Sequence, residues 1–157
     1  MAAPAALERQ LISASADETR ALGAVLARAA APGDLVCLWG ELGAGKTQLA
    51  KGFGAGLGVE ATINSPTFVL MTEYAGRLPM FHVDLYRLAG PEEAIDGGLL
   101  DERQSAGVTV VEWPDRLGRA LPEARLDVRL AGTGDEPRTI NLRAGDTTLA
   151  RYLAVVP

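Results

Sequence analysis

The sequence predicts one α/β domain of three layers: a mixed, mostly parallel central sheet with an antiparallel hairpin at its C-terminal edge. Three observations carry this. An apolar run, Leu35-Val36-Cys37-Leu38-Trp39, passes into a glycine-rich loop and then a helical pattern from Gln48. The β-branched run Val108-Thr109-Val110-Val111 reads as a buried strand and ends on Glu112-Trp113-Pro114. Residues 125–130 and 138–143 alternate Arg or Asp with Leu, Val or Ile around a turn at 132–137, the pattern of a half-exposed antiparallel pair.

Taken in order, residues 2–10 read as a loose start or a short edge segment. Ser15-Ala16-Asp17-Glu18 fits a capping box, and the helix it opens runs to about residue 30, with Thr19, Leu22, Leu26 and Ala29 near helical spacing. Pro32-Gly33-Asp34 ends it. After the strand at 35–39 and the loop, a second helix runs from Lys46 to about Leu57. Leu49, Phe53 and Leu57 form its core stripe, and Gly52, Gly54 and Gly56 lower its propensity while leaving room for close packing on the sheet. Residues 58–64 connect to a β-rich run that opens at Ser65-Pro66-Thr67-Phe68 and reaches about Tyr74. A turn at 75–79 leads to a strand at 80–86, completing a hairpin. There Phe81, Val83 and Leu85 point to the core and His82, Asp84 and Tyr86 form a polar face. Pro91-Glu92-Glu93 signals a helix start within 87–98. Residues 99–104 and 115–120 read as a short helix and a helical turn, and 146–154 as a short terminal helix.

The 157 residues suit a single domain, 1–157, with its core at about 15–145, and a chain of this size buries about two-thirds of its unfolded surface. The one cysteine, Cys37, lies in the strand before the loop and reads as a buried thiol. No apolar run approaches the ~18 residues of a membrane span, and residues 1–6 lack the pattern of a signal peptide, so a cytoplasmic protein with no membrane partner is expected. Residues 1–112 carry 8 basic and 14 acidic residues, a net of −6; residues 113–157 carry 7 arginines and 6 acidic residues, a net of +1. Neither half has the basic excess that strong, independent nucleic-acid binding requires.

The loop Gly40-Glu41-Leu42-Gly43-Ala44-Gly45-Lys46-Thr47, placed between strand and helix, is the phosphate-binding arrangement of a P-loop NTPase. Its backbone N–H groups must converge on phosphate oxygens, and side chains at Gly40, Gly43 and Gly45 would obstruct that turn. The helix that follows adds unpaired donors and the positive end of its dipole. Glu41, Leu42, Gly43, Ala44, Gly45, Lys46, Thr47 and Gln48 are the expected nucleotide contacts, with Lys46 as a mobile charge on the β- and γ-phosphates and Thr47 as a Mg²⁺ ligand. Hydrolysis needs a further carboxylate at the end of a hydrophobic strand. Glu112 and Asp84 both qualify. Glu112 is assigned to Mg²⁺, and Asp84 to orienting the attacking water or accepting its proton. Ser65-Pro66-Thr67 is placed to act as a switch loop. Arg87 pairs with phosphate or with Glu92 and Glu93. His82 reads as a hydrogen-bonded strand histidine, and Trp113 as core or a partner anchor. No Asn-Lys-x-Asp stretch is present to read guanine, so ATP is the expected nucleotide. A small-molecule kinase would need an arginine-rich lid; Arg103 and Arg116 are isolated. A non-catalytic nucleotide-gated module would not need the full set of hydrolytic groups.

Together the loop, Ser65-Pro66-Thr67-Phe68, His82-Val83-Asp84-Leu85-Tyr86-Arg87 and Val111-Glu112-Trp113-Pro114 resemble the bacterial TsaE (YjeE) ATPases in order and spacing, over roughly residues 15–145. The resemblance implies a P-loop α/β fold and Mg²⁺-dependent ATP hydrolysis, weak alone and stimulated by partners. It also implies a role in the threonylcarbamoyl modification of the adenosine beside the anticodon in tRNAs that read codons starting with A. The implied partner is the TsaB–TsaD complex, through which tRNA is met indirectly. Carried over, Lys46 binds phosphate, Thr47 and Glu112 hold Mg²⁺, Asp84 assists catalysis, and residues 65–67 sense the nucleotide. Gln48 stands where many relatives have Thr, past the metal ligand.

Overall fold

The computed structural model describes residues 7–64, 71–87, 92 and 102–157. Among them seven strands form one sheet: β1 (Glu8–Ser13), β2 (Leu35–Trp39), β3 (Met71–Tyr74), β4 (Met80–Asp84), β5 (Val108–Glu112), β6 (Leu126–Ala131) and β7 (Arg138–Ala144), in the order β1-β7-β6-β2-β5-β4-β3. The central strands β6, β2, β5 and β4 pair in parallel. β7 and β3 run against them, and β1 runs against β7, so five strands share one direction and the sheet is mixed and mostly parallel.

The hairpin β6–β7 lies at the predicted end of the sheet but one strand in from its edge. β1 pairs along the outer side of β7, from Glu8 opposite Arg143 to Ser13 opposite Arg138. It thereby satisfies a row of peptide groups that would otherwise be an open edge. The predicted strand at 65–74 is described from Met71 onward. Residues 65–70, which hold Ser65-Pro66-Thr67, lie outside the described residues. So does most of the predicted helix within 87–98.

Helix α1 (Ala16–Ala27) starts on the predicted capping box: the Glu18 N–H donates to Ser15 Oγ (3.1 Å), and Glu18 Oε2 accepts from the Ala14 N–H (2.6 Å). α1 and α2 (Lys46–Gly56) cover one face of the sheet with the short α3 (Arg151–Ala154), where Leu26, Leu49, Phe53 and Tyr152 pack on Val36, Leu38, Val110 and Val128. On the other face, Leu35, Cys37, Val83, Leu85 and Val111 meet Leu117 from the 3₁₀ segment Pro114–Ala120, a thinner third layer. The short predicted helices at 99–104 and 146–154 become a 3₁₀ segment, Glu102–Ala106, and a 3₁₀ turn running into α3.

Two packing expectations are corrected. The glycines of α2 serve mainly the helix pair rather than the sheet. A Cβ on Gly52 would lie 1.9 Å from the Arg20 carbonyl oxygen and one on Gly56 2.6 Å from that of Ala24, while Gly23 of α1 offers the reciprocal approach to Leu49. Only Gly54 turns toward the sheet, at Ile63 and Met80. Second, β4 has no open polar face: it lies between β3 and β5, His82 is fully buried and Asp84 half-buried. No helix among the described residues is long and apolar enough to cross a membrane.

Cys37 is fully buried in β2, and burial pushes its thiol well above the usual range. The folded protein is therefore expected to leave an aromatic disulfide reagent unreacted over minutes and to react stoichiometrically in denaturant. Fast labelling of the native protein would contradict this packing.

Candidate nucleotide-phosphate site

The site forms at the C-terminal ends of the parallel strands, where open α/β sheets place their ligand crevices. β2 delivers the glycine-rich loop. β4 and β5 deliver Asp84 and Glu112, and the register sets Leu38 beside Glu112 and Glu112 beside Asp84, in one row under the loop. The three loop glycines have different reasons. Gly40 is steric: a Cβ there would sit 2.7 Å from the Leu130 carbonyl oxygen. Gly43 (φ 83°) and Gly45 (φ 107°) have room, but their dihedrals are left-handed and disfavour side chains.

Lys46 is the first residue of α2 and is nearly buried. Its Nζ donates to the carbonyls of Gly40 (2.5 Å) and Glu41 (3.0 Å) and lies 4.1 Å from the centre of the Trp113 ring. Burial lowers its pKa, and the carboxylates of Glu112 and Asp84 oppose that shift. Trp113 is held for this contact by a left-handed backbone (φ 60°), and its other neighbour is Tyr86, with ring centres 5.0 Å apart.

Thr47 Oγ1 donates to Glu112, 3.0 Å from Oε1 and 3.3 Å from Oε2. Glu112 is 2% exposed, and its Oε2 lies 2.7 Å from His82 Nε2. The other imidazole nitrogen, Nδ1, is buried with no hydrogen-bond partner. With one proton on the ring, that pattern puts it on Nε2, donating to Glu112. Glu112 is thus gripped from both sides. Asp84 accepts from the Tyr86 N–H (3.0 Å), and burial raises its pKa.

Leu42, Gly43, Gly45, Lys46, Thr47 and Gln48 line a cavity of about 300 Å³ with Asp84, Tyr86, Glu112 and Trp113. The predicted loop residues, Asp84 and Glu112 are therefore brought together. Glu41 contributes its carbonyl to Lys46 instead, and Ala44 faces a second cavity of about 450 Å³ on the other side of the loop. Ser15, Thr19 and Gln48 wall that second space on one side and the hairpin turn Gly134-Asp135-Glu136 on the other. Arg87 is exposed and lines neither cavity. Three roles escaped the sequence. His82 is a strand histidine, as expected, but its partner is Glu112. Trp113 is a platform for Lys46. Arg138 reaches the loop from the hairpin, and nothing distinguishes it in sequence from the other hairpin arginines.

Among the described residues no cluster of three metal-ligating side chains exists. A site offering one hydroxyl and one carboxylate suits Mg²⁺, which keeps several waters and takes its remaining ligands from phosphates. Were Mg²⁺ to bind here, Thr47→Ala and Glu112→Ala would each raise the Mg²⁺ concentration for half-saturation at least about tenfold, the usual order for losing a metal-supporting group. An unchanged Mg²⁺ titration would remove that residue from the metal site.

The family model described as Threonylcarbamoyl adenosine biosynthesis protein TsaE matches residues 13–140. The chain is 42% identical over 129 residues to the TsaE protein of Bacillus subtilis (strain 168), covering 82% of this chain and 80% of that protein. It is 40% identical over 131 residues to TsaE of Treponema pallidum (strain Nichols), covering 83% and 97%. The crystal structure of Bacillus subtilis YdiB superposes with a TM-score of 0.75 at 33% identity, covering 94% of this chain and 92% of that one.

Proposed function

The chain belongs to the TsaE family of threonylcarbamoyl adenosine biosynthesis proteins, and from that premise we propose that it is the Mg²⁺-dependent ATPase of the tRNA threonylcarbamoyladenosine system, working on the TsaB–TsaD complex in the cytoplasm. The observation that carries the ATPase reading is the contact between Thr47 and Glu112 beneath a glycine-rich loop whose lysine is already in the cavity.

In this reading the triphosphate enters the 300 Å³ cavity and the nucleoside takes the 450 Å³ cavity across the loop. Lys46 exchanges the carbonyls of Gly40 and Glu41 for phosphate oxygens, a stronger charge-assisted contact. Thr47 and Glu112 would hold Mg²⁺, which neutralises charge growing on the transferred phosphoryl group. The Thr47 O–H keeps donating to Glu112, so the hydroxyl lone pairs remain available, and His82 keeps Glu112 from turning away. Asp84 sits beside Glu112 with its proton affinity raised by burial, suited to orienting a water or taking its proton. The chain's net charge of −5 fits a protein that meets tRNA through its partners. Phosphate release from ATP, measured alone and with TsaB–TsaD, tests this reading: slow release that the partners accelerate supports it, and partner-independent phosphoryl transfer to a small acceptor contradicts it.

A further inference from the structure

Arg138 opens β7, yet its guanidinium serves two loops. Nε donates to the Ala44 carbonyl (3.1 Å), and Nη2 to the carbonyls of Gly43 (3.2 Å) and Gly134 (3.0 Å). Nη1 donates to the carbonyl of Glu136. Among the described residues no carboxylate lies within ion-pair distance of it. Arginine's planar fork of donors can grip several acceptors at once, and here it grips four backbone carbonyls.

The geometry has a consequence for the phosphate loop. The Ala44–Gly45 peptide is trans and planar, so its C=O and N–H point to opposite sides. A carbonyl turned out to Arg138 turns the Gly45 N–H away from Arg138; Gly45 lines both cavities, and Arg138 only the larger one. The same guanidinium holds the turn that walls the nucleoside-side cavity. Loop and turn are remote in sequence, and the Arg138 guanidinium joins them at the wall of the larger cavity.

We propose that Arg138 is a positioning residue of the nucleotide site: it fixes the amide orientation of the phosphate loop and ties that loop to the 132–137 turn, so that the nucleoside and triphosphate parts of one ligand are bound by a single rigid frame. This rests on the reading of the site as an ATP site. Lysine at 138 keeps the charge but cannot span four carbonyls, which separates bridging from charge.

The test is calorimetric titration of wild type, Arg138→Ala and Arg138→Lys with ATP·Mg²⁺ and with inorganic tripolyphosphate, alongside kinetics of the partner-stimulated reaction. Both variants are expected to lose affinity for both ligands by about tenfold, with KM for ATP rising in proportion and kcat within about threefold of wild type. Arg138→Ala binding tripolyphosphate as tightly as wild type, or Arg138→Lys restoring wild-type affinity, overturns the proposal. If Arg138→Ala does not fold, Arg138→Lys and amide exchange in the wild type decide. ATP must then slow exchange at 133–136 together with 43–47, and protection confined to the loop overturns the link. Wild type that binds neither ligand fails at the ATP reading itself, a result distinguishable from an unaffected variant.

Discussion

Lys46→Ala is expected to lower partner-stimulated ATP hydrolysis by about 10²–10³-fold, the cost of removing one preorganised charge aimed at a developing oxyanion. The fold should survive. Among the described residues Lys46 makes no ion pair; it donates to two carbonyls of its own loop and covers part of the Trp113 ring. Those carbonyls belong to a loop that opens on the cavity, so water can replace the ammonium there. Burial works against the charge, and Glu112 and Asp84 work for it. Arginine should not rescue the variant. Its planar group is larger than the ammonium and needs a fork of acceptors rather than a point. Nucleotide affinity measured by calorimetry should fall with hydrolysis. An alanine variant that binds ATP as tightly as wild type would place the phosphates elsewhere.

The largest expected effect on stability comes from Gly52→Val. Two terms oppose each other. Removing a helical glycine gains up to about 1 kcal/mol in propensity relative to Ala, less for a β-branched residue. Against this, a Cβ at Gly52 would lie 1.9 Å from the Arg20 carbonyl oxygen. The obstacle is backbone, so no side chain can swing aside, and α1 must move off α2 as a body. Overpacking of this kind costs about 1–3 kcal/mol or more, which outweighs the propensity gain. For a domain of this length that is a fall in melting temperature of roughly 2–4 °C per kcal/mol. Because α2 begins at Lys46, nucleotide affinity should fall as well. Ala55, exposed on the same helix, is the control: Ala55→Leu should change stability by about 0.5 kcal/mol at most. Equal melting temperatures for Gly52→Val and wild type would mean that the helices do not cross at these glycines.

What the sequence disclosed follows from how local each signal is. The loop and α2 are written in contiguous residues, because glycine at 43 and 45 answers to local dihedrals and the stripe Leu49, Phe53, Leu57 to helical period. Glu112 was legible because a β-branched run must be buried and its end must therefore open on a crevice. The capping box of α1 was legible because its partners lie within four residues of one another. The strand β1 was legible only as one of two alternatives: Glu8-Arg9-Gln10 is polar and reads as a loose start or a short edge segment, and the open edge of β7 decides for the strand, which runs on to Ser13. The buried face of β4 was misread because alternation predicts one covered side, whereas a strand between two others under a helical layer has two. Arg138 was invisible because its acceptors, Gly43 and Ala44, lie some 95 and 94 residues earlier in the chain, and only the sheet brings them together. Periodicity carries no information at that range.

The most direct measurement is phosphate release from ATP by wild type and Lys46→Ala, each with and without the TsaB–TsaD complex. Slow release by wild type alone, strong acceleration by the complex, and near-background release by Lys46→Ala in both conditions are the predicted results. Hydrolysis by Lys46→Ala at the wild-type rate in the presence of the complex would contradict the account, because the phosphate loop would then not be where ATP is cleaved.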